Sequence, residues 1–153
     1  MVKEKTLEET YELCLSEGNF IPQQNIDKFR IQSTLKIIEE DLSVIEDLKN
    51  SSRYHVLCKL TYDVLHSLAE ILLSLEKIKS KNHQCLFSYL CLKYPHLELS
   101  WEFFEKIRTK RNGIHYYGTI IDKSEWNNIN FQAGIYIDIL KKEINSLINK
   151  YNK

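Results

Sequence analysis

Chain-breaking residues are scarce in this sequence: 153 residues contain four glycines and two prolines. Glycine and proline interrupt helices and shape the tight turns between short strands. A chain with so few of them favours long helices over many short strands. The apolar residues agree. For most of the length they recur every three or four positions, the spacing that places them on one face of a helix.

Residues 3–16 are expected as a first helix, with Leu7, Tyr11, Cys14 and Leu15 on one side and Gly18, Asn19 and Pro22 ending it. A second helix from about Asn25 to Leu48 carries Ile26, Phe29, Leu35, Ile38, Leu42, Ile45 and Leu48. Asn50-Ser51-Ser52 breaks the pattern, and either serine can cap the next helix. The third helix, about Ser52 to Lys79, is the most apolar, with a stripe of Tyr54, Leu57, Leu60, Val64, Leu68, Ile71, Leu72 and Leu75 widened by Val56, Leu65 and Leu73. Such breadth belongs to the central element of a bundle. Lys79-Ser80-Lys81-Asn82 is a polar turn, and a shorter helix from His83 to Lys93 stops before Pro95. Ser100 is placed to cap a helix whose inner face is Phe103, Phe104 and Ile107 and whose end is Gly118. A last helix from about Ser124 to Tyr151 turns Ile129, Ala133, Tyr136, Ile137, Leu140, Ile144 and Leu147 inward. The expected fold is all-α: an up-and-down antiparallel bundle of five to six helices in one domain over 1–153, with 1–22 a candidate N-terminal helical extension.

Twenty-one Lys and Arg balance twenty-one Asp and Glu, so bulk charge points to neither nucleic acid nor membrane, and a nucleic-acid site has to be a local patch. No apolar run approaches the ~20 residues of a membrane span. Met1-Val2-Lys3-Glu4-Lys5 lacks a signal-peptide core, and a cytoplasmic location is expected. Cys14, Cys58, Cys85 and Cys91 form no C-x-x-C pair and are expected as reduced, buried small hydrophobes. A zinc site from Cys85, Cys91, His83 and His96 is the weaker alternative, because those spacings match no familiar structural zinc pattern. Asp63, His66 and Glu70 share a helix face at metal-like spacing, but a polar seam is the commoner meaning of such a triple. His55, His66, His83 and His96 are expected as satisfied half-buried or surface residues.

One segment departs from the even charge balance. Lys106-Ile107-Arg108-Thr109-Lys110-Arg111 puts four basic residues within six positions, and Asn112-Gly113-Ile114-His115-Tyr116-Tyr117-Gly118 comes directly after. On a helix, Arg108 and His115 share a face, as do Arg111 and His115. A guanidinium fork grips phosphate with two donors at once. Imidazole, titrating near ~6.5 when unperturbed, can take or give a proton at neutral pH. The set suits the holding and cleavage of a phosphodiester. Arg108, Arg111 and His115 are the candidate catalytic residues, Lys110, Asn112 and Tyr117 the candidate substrate contacts, and no metal belongs to the set. Three plainer meanings compete. The run can be a solvated helix face balanced by Glu102, Glu105 and Asp122. Tyr117 and Tyr116 can simply pack, at a helix end or dimer seam. Tyr116, Tyr117 and Trp126 can stack bases without any cleavage, although core packing explains Trp126 equally well.

The order of elements and the 108–118 segment resemble the HEPN family of helical-bundle proteins. That family carries an arginine, about four to six residues and then a histidine, often with Arg-Asn at the start and tyrosine two positions past the histidine. Arg111-Asn112 resembles the Arg-Asn pair, with three residues before His115, while Arg108 stands six residues before it and fits the spacing. His115-x-Tyr117 resembles the ending found in toxins paired with nucleotidyltransferase antitoxins. Ser52-Arg53-Tyr54 through Ala69 and Leu72, then Lys81-Asn82-His83, resemble the family's central helix and following turn. The resemblance covers about residues 50–150.

It implies a metal-independent endoribonuclease, a toxin or defence component, that cleaves RNA at a composite site in a symmetric homodimer. One protomer's motif offers a single histidine, so the dimer supplies the second for acid and base. It also implies a nucleotidyltransferase antitoxin partner that modifies Tyr117 with AMP. The alternative it implies is a non-catalytic HEPN-like module that binds a nucleotide or a nucleotidyltransferase through the same basic face. Neither reading calls for a cofactor or a membrane.

Overall fold

The computed structural model describes residues 4–151. Six helices run in order: α1 (Leu7–Ser16), α2 (Lys28–Leu48), α3 (Tyr54–Leu75), α4 (His83–Lys93), α5 (Trp101–Tyr117) and α6 (Lys123–Tyr151). A single 3-10 turn, Pro95–Leu97, separates α4 from α5. The expected helical bundle is therefore present, with one addition. Two three-residue strands, β1 (Phe20–Pro22) and β2 (Ile78–Ser80), pair antiparallel with Phe20 opposite Ser80 and Pro22 opposite Ile78.

Those strands correct the sequence expectation at two places. The third helix stops at Leu75 rather than running to Lys79, because Lys77 takes a left-handed φ of 61° and turns the chain into β2. The first helix begins at Leu7, where Thr6 and Glu9 form a reciprocal capping box. Of the residues expected in that helix, Lys3 lies outside those described. Neither Ser51 nor Ser52 caps α3; the N-cap is Arg53, and Ser51 Oγ accepts from the Arg53 N–H instead. Ser100 does cap α5, accepting from the Phe103 N–H at 3.2 Å, and Gly118 ends that helix with φ 62°.

The core is one cluster reaching from Tyr11 to Ile144. At its centre lies α3, which packs against α2, α4, α5 and α6. Leu57, Cys58, Tyr62, Val64, Leu65, Leu68, Ala69 and Leu72 of α3 are fully enclosed. By contrast, α2 is amphipathic and fully buries only Ile31 and Ile38. Residues 7–22 are tied into the same core. Packing of α1 on α4 is sealed by a disulfide between Cys14 and Cys85, and β1 holds β2. The expectation of four reduced cysteines thus holds for Cys58 and Cys91, which are free and buried, and fails for the other two. Seventy-one residues separate Cys14 from Cys85, so no local spacing signals the pairing. Among the described residues no helix is long and apolar enough to cross a membrane.

Candidate functional site

The rotation of α5 about its axis is set by aromatic packing. Phe104 stacks on Phe87 of α4 with ring centroids 4.8 Å apart and on Tyr136 of α6 at 5.6 Å. Ile107, one turn on, is also fully enclosed. Arg108 and Arg111 continue this stripe at the i+4 and i+7 positions from Phe104. The two arginines therefore lie half-buried along the seam with α3, not on the solvated face of the helix. Past Arg111, Ile114 still packs against the core, and the stripe emerges into solvent at His115.

The basic residues have different partners. Arg108 donates from Nε and Nη2 to the two carboxylate oxygens of Glu105, each at 3.0 Å, and Gln84 Nε2 donates to Glu105 Oε2 at 3.0 Å. This fork-to-fork pair holds the guanidinium more firmly charged than usual, the Glu105 hydrogen bond outweighing burial. Lys110 Nζ donates to Glu125 Oε2 of α6 at 2.7 Å. Glu105 thus does balance charge as expected, but Glu125 replaces Asp122, whose carboxylate accepts from the Glu125 N–H at the start of α6. Arg111 is different. Its guanidinium lies over the Tyr62 ring, 5.4 Å from the centroid, and among the described residues no oxygen accepts from it.

Asn112 is half-buried beside it. Gly113 sits at a close approach. A Cβ there would come within 3.2 Å of Thr119 Oγ1, because the Gly118 and Thr119 N–H groups both donate to the Gly113 carbonyl as the chain folds back. His115 is exposed, its ring beside Tyr116 with centroids 5.0 Å apart. Tyr116, Tyr117 and Ile120 are 66%, 85% and 80% exposed. Packing within the chain thus explains neither tyrosine, whereas Trp126 is buried in the core and unavailable for stacking. Arg111 and His115 share a helix face, but no hydrogen bond joins them among the described residues.

What the arginines do meet is a group that sequence spacing does not reveal as a unit. Tyr62 of α3 bonds His83 Nδ1 at 2.8 Å, and His66, one turn after Tyr62, places its ring 3.9 Å from that of His83, centroid to centroid. His66 Nδ1 in turn contacts Glu70 Oε1 at 2.9 Å. Burial pushes the Tyr62 phenol well above its ordinary range, against the pull of Arg111 and Arg108, so the phenol keeps its proton while bonded to His83 Nδ1. His83 is pushed down to about 4, first by burial and then by the positive charges of His66, Arg111 and Arg108, with Glu70 opposing. It is neutral at pH 7, with Nδ1 engaged by the Tyr62 hydroxyl. Hydrogen bonding from His66 holds the Glu70 carboxyl below its usual value. Asp63 is exposed and joins neither the pair nor a metal triple.

The signal for this cluster was available only in part. Tyr62, His66 and Glu70 repeat at i, i+4, i+8 on one helix. His83 lies distant in sequence and reaches them because Asn82 caps α4, its side chain accepting from the Cys85 N–H, and so starts that helix beside α3. The disulfide removes Cys85 from any zinc set. Among the described residues no group of three or more His, Cys, Asp and Glu is placed to hold a metal ion. A cleft of about 320 Å³, lined in part by Arg30, Glu70, Ser74 and Lys79, opens beside the Glu70 end of the cluster. No protein-family model, curated protein or solved structure matches the chain.

Proposed function

We propose that this chain is a HEPN-like, metal-independent endoribonuclease, a toxin or defence component, that cleaves RNA at a composite site in a symmetric dimer. One observation carries the reading. Arg111, a half-buried guanidinium without an acceptor among the described residues, stands one helical turn before His115, which is exposed. Its donors suit the charge that develops on a phosphorane. Arg108 is already committed to Glu105, so Arg111 is the working arginine despite its shorter spacing to the histidine, and Arg108 is a positioning residue.

In the proposed reaction the RNA 2′-hydroxyl attacks the adjacent phosphorus. A neutral His115 takes the hydroxyl proton, and the protonated His115 of a second protomer gives one to the departing 5′-oxygen. The P–O5′ bond breaks, leaving a 2′,3′-cyclic phosphate and a 5′-hydroxyl. Tyr116 and Tyr117 at the end of α5, with Ile120 just past it, are exposed apolar and aromatic groups that suit contact with a second copy. Lys110 and Asn112 flank the path of the strand.

The test is incubation with mixed RNA in excess EDTA. Cyclic-phosphate ends that disappear in His115→Ala support the reading. One observation favours the alternative of a binding module for a nucleotide or nucleotidyltransferase: among the described residues no hydrogen bond orients the His115 ring. Intact RNA from well-folded, dimeric protein would select that alternative.

A further inference from the structure

The Tyr62, His66, His83 and Glu70 cluster is not needed by the proposed cleavage, yet Arg111 lies over its Tyr62 ring. We infer that Arg111, His83 and His66 form a binding site within one protomer for the phosphoryl group of a nucleotide or RNA strand. The inference rests on the reading of Arg111 as a phosphate-holding group, and not on cleavage.

The geometry supplies the ligand class. Arg111 offers the five donors of a guanidinium, and no oxygen among the described residues takes any of them. His83 spends Nδ1 on Tyr62, which leaves its Nε2 for a ligand, as a donor once the ring is imidazolium. His66 spends Nδ1 on Glu70, which leaves its Nε2 for a ligand. The charges that face the site come from several elements. On α5, Glu105 is neutralised by Arg108 and accepts a hydrogen bond from Gln84 of α4. On α3, Glu70 faces His66 and the positive charge of Arg30 from α2, while Asp63 is exposed to solvent. What remains is the positive charge of Arg111, beside two imidazoles in contact with each other at 3.9 Å. A cation is repelled there. An anion with several acceptor oxygens fits the donors and offsets the repulsion that holds His83 neutral.

Phosphate binding is therefore coupled to proton uptake. With the site empty His83 is neutral at pH 7, held low by burial and its cationic neighbours. A bound phosphate adds negative charge at that position and favours imidazolium, so the complex takes up a proton from solvent. By linkage, phosphate binds more tightly as pH falls.

Histidine-ring NMR on the full chain, titrated in inorganic phosphate and in chloride of equal ionic strength, tests this. The His83 titration midpoint is expected to rise by about one pH unit in phosphate, which corresponds to about tenfold tighter binding by the protonated form. Arg111→Gln is expected to abolish the rise, and Arg111→Lys, which keeps charge but not the fork, to reduce it. His115→Ala is expected to keep it while losing any RNA cleavage, so the two readings fail separately. Saturation at lower concentration by a 2′-O-methylated RNA oligomer than by 5′-AMP would identify a strand phosphate; the reverse order would identify a nucleotide. A His83 midpoint identical in phosphate and chloride, or a rise that survives in Arg111→Gln, would overturn the inference.

Discussion

Arg111 and His83 are the two residues whose surroundings depart furthest from what their neighbours in sequence suggest. Four basic residues lie within six positions, and the sequence alone makes them a uniform patch. Packing divides them: Arg108 and Lys110 close internal ion pairs, and Arg111 does not. His83 yields a prediction from its lowered pKa. Its folded value of about 4 lies below the ordinary 6.5, so the unfolded chain takes the proton first. Stability is therefore complete above the unfolded value and declines as pH falls from about 6.5 towards 4. After discounting for partial exposure the loss is about 1–2 kcal/mol. Thermal melts across that range should show the decline in wild type and a shallower one in His83→Gln; equal slopes would remove His83 as the cause. Glu70 acts in a lower window, its lowered pKa adding stability that is lost only once the carboxylate protonates. The arginine, histidine and tyrosine of the 108–118 segment were legible because they are contiguous. The two-histidine cluster was not, because it depends on where the turn after α3 returns α4.

At the scale of elements, α5 is a helix of two halves. Phe103, Phe104 and Ile107 anchor the first half in the core, and the second half leaves the core at His115. Its end relies on Gly118, whose positive φ a Cβ would oppose by about 1–2 kcal/mol. Gly118→Ala is expected to lower the melting temperature by a few degrees and to speed hydrogen exchange at Thr119, whose N–H closes on the Gly113 carbonyl. Unchanged exchange there would show that the fold-back does not depend on Gly118. Removing Phe104 should act differently. Phe104→Ala opens a cavity between α4, α5 and α6 and is expected to cost about 3–5 kcal/mol, read from chemical denaturation. These helices and caps were readable because period and cap chemistry are local signals. The β1–β2 ribbon was not: three residues a side give no measurable alternation, and Pro22 at its edge looks like a breaker.

For the whole molecule, the Cys14–Cys85 bond fastens the first helix to the bundle across 71 residues. Closing a loop of that size typically stabilises a domain by about 2–4 kcal/mol, the loss expected for Cys14→Ser. Disulfides persist mainly in oxidising compartments, which makes the thiol count of the purified protein informative. Burial raises Cys58 to about 11 and Cys91 to about 12, so both thiols stay protonated and unreactive in the folded chain. A thiol reagent should find none in the folded, oxidised protein, two after unfolding, and four after unfolding with reductant. Four without reductant would mean that the bond is absent. The bundle and its central helix were legible in the hydrophobic period, whereas this long-range bond left no trace in spacing. The central claim, that α5 presents Arg111 and His115 to an RNA phosphodiester, is met most directly by one comparison. Cleavage of RNA in excess EDTA is measured for wild type, Arg111→Ala and Arg108→Ala, each checked for folding. The account predicts cyclic-phosphate products from wild type, at least about a hundredfold loss in Arg111→Ala, and a smaller loss in Arg108→Ala. RNA left intact by the folded wild type, or cleaved undiminished by Arg111→Ala, would contradict it.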